Sequence, residues 1–292
     1  MKTLREYIQE AERNKTAIGH FNVANLEMLW GVFQATRDLS ASGGNASIPI
    51  IIGASEGERD FMGIEQIAGL VRGLREQYNF PIFLNADHSY SFERVKEAVD
   101  AGFDMAIFDG AKLSFEENIK ITKQCVKYAR SSKNSSILIE GELGYIGEGS
   151  NLKEKLPEGA GIKTKPEEAG RFVGETEIDL LAPSVGNIHG IIHDGNPHID
   201  AGLVKEIRKS AGVPLVLHGG SGITDVDFTK AIEAGISVIH ISTELRLAYQ
   251  KALKFSLREA PEELAPYKIL KPAMLAVQKT AESRLKLFNR AG

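Results

Sequence analysis

Short apolar runs, each ending in polar or glycine-rich residues, recur along the chain and alternate with stretches of helical period. The runs occupy residues 17–22, 48–55, 81–88, 105–109, 137–142, 180–189, 214–218 and 237–243. Their brevity and continuous apolar character suit strands buried on both faces, as in a parallel sheet. Between them, residues 92–102 set Phe92, Val95 and Val99 on one helical face and stop at Gly102, suited to the left-handed turn after a helix. Segments 117–130, 166–176 and 227–235 repeat that pattern, the second opening on Pro166. Eight strand-to-helix repeats predict an α/β fold, a closed (β/α)8 TIM barrel in preference to an open sheet.

No linker or low-complexity tract divides the chain, so residues 1–292 are expected to form a single domain. Two segments depart from the repeat. The connection between the fifth and sixth strands, about residues 144–165, holds five glycines among many charges. It reads as a solvated loop or as a lid that closes over substrate. After the eighth strand a helical tail, about residues 246–292 and including 271–289, is expected to pack on the barrel or on a second subunit.

Composition narrows the class without choosing the chemistry. With 42% apolar and 25% charged residues the chain is an ordinary globular protein. One cysteine, Cys125, excludes a framework of intrachain disulfides. A net charge of −4 gives no pull toward nucleic acid or an anionic membrane. The first residues lack the apolar core of a signal peptide, and no apolar run reaches the ~18 residues of a membrane span. A cytoplasmic enzyme or binding protein is expected.

The strands of such a barrel deliver their C-terminal ends to one mouth, so polar residues there converge in space. Five of the seven histidines, His20, His88, His189, His218 and His240, lie on or at the ends of proposed strands. His88, His189 and His218 end the third, sixth and seventh. Three neutral imidazoles would leave a coordination position open for substrate, as a catalytic metal requires. Asp87 reads either as a helix cap or, beside a divalent ion, as a general acid/base. Asp109, Glu140 and Glu142 end the fourth and fifth strands, as partners that orient histidines or as an alternate metal position. Residues 218–222, His-Gly-Gly-Ser-Gly, follow the seventh strand, where barrel phosphate sites cluster, and Ser242 and Thr243 end the eighth. A metal beside a phosphate is the resulting picture.

Taken together, Phe21-Asn22-Val23, Ser55-Glu56-Gly57, Asp87-His88, Glu142-Leu143-Gly144, His189-Gly190, residues 218–222 and Ser242-Thr243-Glu244-Leu245 resemble the class II, metal-dependent fructose- and tagatose-bisphosphate aldolases over nearly the whole chain. The resemblance implies that His88, His189 and His218 bind Zn2+ or another divalent ion, and that Asp87 is the acid/base at the bond cleaved. It implies that Gly190, Gly219, Gly220, Ser221, Ser242 and Thr243 hold the phosphate of dihydroxyacetone phosphate, with Na+ or K+ nearby. Asn22 joins the substrate contacts, and Ser55 matches a serine facing the aldehyde half. The substrate is then a phosphorylated sugar, fructose 1,6-bisphosphate by default, and the assembly a homodimer or homotetramer.

Three departures stand out. The family usually has asparagine where this chain has His240, and adjacency of the first and eighth strands brings His240 toward His20 as a coupled catalytic pair. The usual loop acid is displaced to Glu148. The partner of a distal phosphate is open among Arg59, Arg246 and Lys271. Competing readings are a Schiff-base aldolase, for which no strand end offers a lysine, and a barrel metallohydrolase, for which residues 20–22 lack a His-x-His pair. A catalytically silent aldolase-like subunit is the non-enzyme alternative, yet Asp87 and all three histidines are present.

Overall fold

The structure, a computed structural model, describes residues 1–42, 47–147, 149, 151–154, 162–192 and 197–290. Helix α1 (Leu4–Asn14) leads into β1 (Ile18–Asn22), α2 (Leu26–Ser42), β2 (Ile50–Ala54), α3 (Glu56–Met62) and α4 (Ile64–Tyr78). Next come β3 (Ile82–Ser89), α5 (Phe92–Asp100), β4 (Met105–Phe108), α6 (Phe115–Ser131) and β5 (Leu138–Leu143). The second half runs β6 (Leu152–Lys153), α7 (Pro166–Thr176), β7 (Leu180–Pro183), β8 (Ile191–Ile192), α8 (Ala201–Ala211) and β9 (Leu215–Leu217). It closes with α9 (Asp225–Ala234), β10 (Ile236–Ile241), α10 (Thr243–Glu259) and α11 (Pro266–Asn289).

Eight of these strands form a closed parallel barrel in the order β1-β10-β9-β7-β5-β4-β3-β2, the predicted fold. Two-residue strands β6 and β8 pair separately above it, joining the long connection to the loop after His189. Helix boundaries follow their caps. Ser114 starts α6 and Thr224 starts α9, each accepting a hydrogen bond from the third residue on, so α9 begins two residues before the period suggested. Several strands are shorter than their apolar runs. The sixth run, 180–189, is strand only over Leu180–Pro183, so His189 stands on the loop beyond.

Strand alternation sorts the barrel interior into layers. The lowest is apolar, from Ile18, Ile51, Phe83, Met105, Leu138, Leu180, Val216 and Val238, and Leu4, Ile8 and Ala11 of α1 seal it from below. Two residues on, the inward positions turn polar with His20, Asn85, Glu140, His218 and His240, all buried. Outward residues such as Phe21, Ile52, Leu84 and Phe108 join the larger core beneath the surrounding helices. The plug helix α1 lies outside the eight repeats. Its signal was local: Thr3 and Glu6 form a reciprocal capping box just before Leu4, Ile8 and Ala11.

The tail is helical and lies on the barrel. Val277, Ala281, Leu285 and Phe288 of α11 are buried against the core. A Cβ on Gly31 of α2 would stand 2.7 Å from the Met274 carbonyl oxygen of α11, so glycine sets this close approach. Gly31→Val is expected to lower unfolding free energy by about 1–3 kcal/mol, read by denaturant titration, through overpacking between α2 and α11.

Candidate active site

Three imidazoles meet above the polar layer. His218 follows β9 directly and points inward by alternation. His88 does not: its neighbour Asp87 holds the inward position of β3, continuing Phe83 and Asn85. A left-handed backbone at His88, φ 43°, together with a register shift between Ala86 and Ser89, turns its ring inward as well. His189 reaches the group from its loop. Asn187 fixes that loop, accepting from the Val185 amide at 2.8 Å and donating to the His218 carbonyl at 3.0 Å. One nitrogen of each imidazole lies within 4.8 Å of the others.

The donor chemistry fits a divalent ion. His88 Nδ1 lies 2.9 Å from Asp109 Oδ2 and His218 Nε2 lies 2.7 Å from Glu140 Oε1, so each ring has one nitrogen claimed by a carboxylate. The remaining nitrogens, His88 Nε2 and His218 Nδ1, face each other at 3.2 Å. Two ligands of a tetrahedral zinc with bonds of about 2.0–2.1 Å stand about 3.3 Å apart. Burial opposes charge on His88, but Asp87, Asp109 and Glu142 outweigh it and hold its pKa well above the ordinary imidazole range. The same negative field favours a cation among the rings. Glu142 is pushed up to about 8 by burial and by the adjacent Asp109.

Of the residues expected at an alternate metal position, Asp109 and Glu142 gather with His88 in a group that could hold an ion, whereas Glu140 lies with His218 and His240. Asp109 and Glu140 also each contact an imidazole nitrogen, the geometry of carboxylates that orient ligand rings.

Asp87 sits against this group. Its Oδ2 accepts from Asn22 Nδ2 at 2.8 Å, and its Oδ1 lies 3.3 Å from His240 Nδ1. Burial resists ionisation, yet the charge of His88 and the hydrogen bond from His240 prevail and hold its pKa well below the usual carboxylate range. His240 and His20 meet as predicted. They are register partners in β1 and β10, and their rings stack with centroids 3.4 Å apart and planes 5° from parallel. His240 also stacks on His218 at 4.1 Å. Gly53 makes room, since a Cβ there would lie 2.1 Å from His20 Cε1.

Asp87, His88, His189 and His240 line a cavity of about 480 Å³ at the mouth, which brings together all eight predicted substrate residues: Asn22, Ser55, Gly190, Gly219, Gly220, Ser221, Ser242 and Thr243. Ser242 Oγ is buried without a partner, and Thr243 begins α10, whose first-turn amides lack helical acceptors. Glu148 lies outside the described residues. Two proposed distal cations are corrected. Arg59 is 1% exposed and binds the Ala54 and Asp87 carbonyls and Ser89 Oγ, a buried brace. Lys271 is exposed on α11 and does not line the cavity. Arg246 lines it, paired with Glu58. Lys112, Tyr90 and Tyr145 also line it; none lies at a proposed strand end, so strand-end reasoning passes over them.

Comparison with known proteins agrees with this geometry. A family profile described as "Fructose-bisphosphate aldolase class-II" matches residues 2–292. A fructose-bisphosphate aldolase of Geobacillus stearothermophilus is 36% identical over 293 residues, covering 99% of this chain and 97% of the relative. One from Staphylococcus aureus is also 36% identical, covering 99% and 98%. Among solved structures, the YdjI aldolase from Escherichia coli K12 superposes with a TM-score of 0.81 at 31% identity, covering 99% and 97%. A fructose-bisphosphate aldolase from Campylobacter jejuni, 20% identical with a TM-score of 0.79 and coverage of 98% and 94%, shares the fold.

Removing the group that orients His88 tests the reading of the metal centre. Asp109→Ala is expected to weaken zinc binding by about 10–100-fold in a competitive chelator titration, with the circular dichroism spectrum unchanged.

Proposed function

The chain belongs to the class II fructose-bisphosphate aldolase family, and on that premise we propose that it cleaves a phosphorylated ketose to dihydroxyacetone phosphate and an aldehyde. Fructose 1,6-bisphosphate, giving glyceraldehyde 3-phosphate, is the reference substrate, and tagatose 1,6-bisphosphate is its C4 epimer. One observation carries the reading: His88, His189 and His218 converge beside Asp87, and one cavity joins this group to the glycine and hydroxyl cradle. Zinc suits an all-imidazole set, although such sites accept other divalent ions.

The reaction breaks C3–C4. The electron pair remains on the C3 side as an enediolate, and the C4 hydroxyl loses its proton as the aldehyde carbonyl forms. A divalent ion held by His88, His189 and His218 would supply Lewis-acid chemistry at the ketose oxygens, where this negative charge develops. Asp87 accepts the C4 proton and returns it during condensation. Its ionised state suits that task, and Asn22 and His240 fix the direction of its two oxygens. The cradle of Gly190, Gly219, Gly220, Ser221, Ser242 and Thr243 holds the 1-phosphate, far enough from the reacting carbons to orient them. Ser55 meets the aldehyde half.

Glu148 as the acid exchanging protons at C3, Na+ or K+ beside the phosphate, a homodimer or homotetramer, one domain spanning 1–292 and a cytoplasmic setting belong to the same proposal and rest on the family resemblance. No helix among the described residues is long and apolar enough to cross a membrane.

Chelation is expected to abolish dihydroxyacetone phosphate release from fructose and tagatose 1,6-bisphosphates, and zinc to restore it. Asp87→Ala is expected to lower kcat by about 10²–10⁴-fold while zinc content stays stoichiometric. Metal-independent cleavage, or full activity of the variant, would overturn the mechanism.

A further inference from the structure

At the aldehyde end of the cavity one ion pair has no part in the steps above. Arg246 Nη2 lies 2.6 Å from Glu58 Oε1. Glu58 is 6% exposed, and its other oxygen accepts from Asn22 Nδ2 at 3.0 Å and from the Ser55 amide at 2.8 Å. Both oxygens are therefore claimed, by three residues that themselves line the cavity. We propose that Glu58 is a specificity-determining residue that neutralises Arg246, so that the site takes ketose 1-phosphates whose aldehyde half carries no phosphate. The inference rests on the aldolase reading and refines its substrate class.

The two ends of the cavity are built differently. The cradle at Gly190, Gly219, Gly220, Ser221, Ser242 and Thr243 has no carboxylate in its lining, and Glu244 behind it is held by the Gly222 amide and by Arg284, which does not line the cavity. The Ser55 end has Glu56 in its lining and Glu58 directly behind it. Arg59 cannot supply charge there, because its guanidinium is buried on the Ala54 and Asp87 carbonyls and Ser89. Arg94 lies 3.8 Å from Glu56 and is bound more closely by Asp60 at 2.6 Å. Lys112 also lines the cavity, but a phosphate dianion that reaches Arg246 must share it with Glu58 or displace it. Displacement leaves a buried carboxylate facing the dianion, a like-charge contact that disfavours this ligand. A hydroxylated chain end meets no such conflict, since Ser55, carboxylate oxygens and the remaining Arg246 N–H groups offer acceptors and donors.

The test compares kcat/KM for the 1-phosphates and the 1,6-bisphosphates of fructose and tagatose, using the zinc-loaded full chain. The wild type is expected to cleave the better 1-phosphate at least as efficiently as its bisphosphate. Glu58→Gln retains an oxygen for Asn22 and Ser55 while freeing the charge of Arg246. It is expected to shift the ratio about tenfold or more toward the bisphosphate, the scale of one charge-assisted contact to phosphate. Arg246→Met in the wild-type background is expected to leave the ratio within about threefold, whereas loss of bisphosphate cleavage alone would mark Arg246 as a phosphate ligand and sink the proposal. A wild-type preference for the bisphosphate, or a ratio unmoved by Glu58→Gln, would overturn it too; Lys112 would then be the cation to examine. Cleavage of none of the four sugars would instead defeat the aldolase reading on which the proposal stands.

Discussion

A layer of imidazole and carboxylate groups shut inside the barrel is the constraint around which the rest is arranged. Buried polar groups are tolerated only when paired, and here the pairs are made between strands: Glu140 of β5 to His218 after β9, Asn85 of β3 to His20 of β1, Asp87 of β3 to His240 of β10. Each pair joins strands that are not neighbours in the closed barrel and so crosses its interior, which makes strand register and side-chain chemistry one requirement. A shift of one residue in any of these strands would turn its polar group outward. The apolar layer below, sealed by α1, offsets the cost of such a layer with a dry packed floor.

Pairing within the layer is incomplete. Glu142 Oε2, His240 Nε2 and Ser242 Oγ are buried without a hydrogen-bond partner. All belong to residues lining the cavity, where a metal, a proton in transit and a phosphate would be met. Other unpartnered atoms, such as His20 Nδ1, Asn85 Oδ1 and Glu140 Oε2, lie away from the lining; those at the cavity are acceptors and donors that a ligand can complete.

How much of this could be read from the sequence depended on how far each side chain obeys strand period. The barrel, its eight strands and the convergence of Asp87, His218, Glu140 and Glu142 follow from alternation and from the shared mouth. His88 could be placed at a strand end but not aimed, because its inward turn needs a left-handed residue that no pattern of apolar positions announces. His189 belongs to a loop held by Asn187, a contact invisible without coordinates. Arg59 looked like a surface cation; helix α3 carries it back into the core, where three oxygens take it. Helix α1 escaped because a plug beneath a barrel is not part of the βα repeat, although its capping box was in plain sight.

Glycine and stacking complete the argument for why His20 and His240 occupy the positions they do. Register places the two side by side, and a planar ring against a planar ring fills the space that two tetrahedral side chains would leave ragged. Gly53 on the neighbouring strand surrenders its side chain to admit His20, and Asn85 claims His20 Nε2 from the other side. With one face covered by His20 and the other by His218, His240 is left little freedom except to present Nδ1 to Asp87. An asparagine at residue 240 would reach Asp87 or substrate without needing such supports. The histidine requires the glycine, the stacked ring and the amide together, which ties a change at the reacting centre to changes on three neighbouring strands.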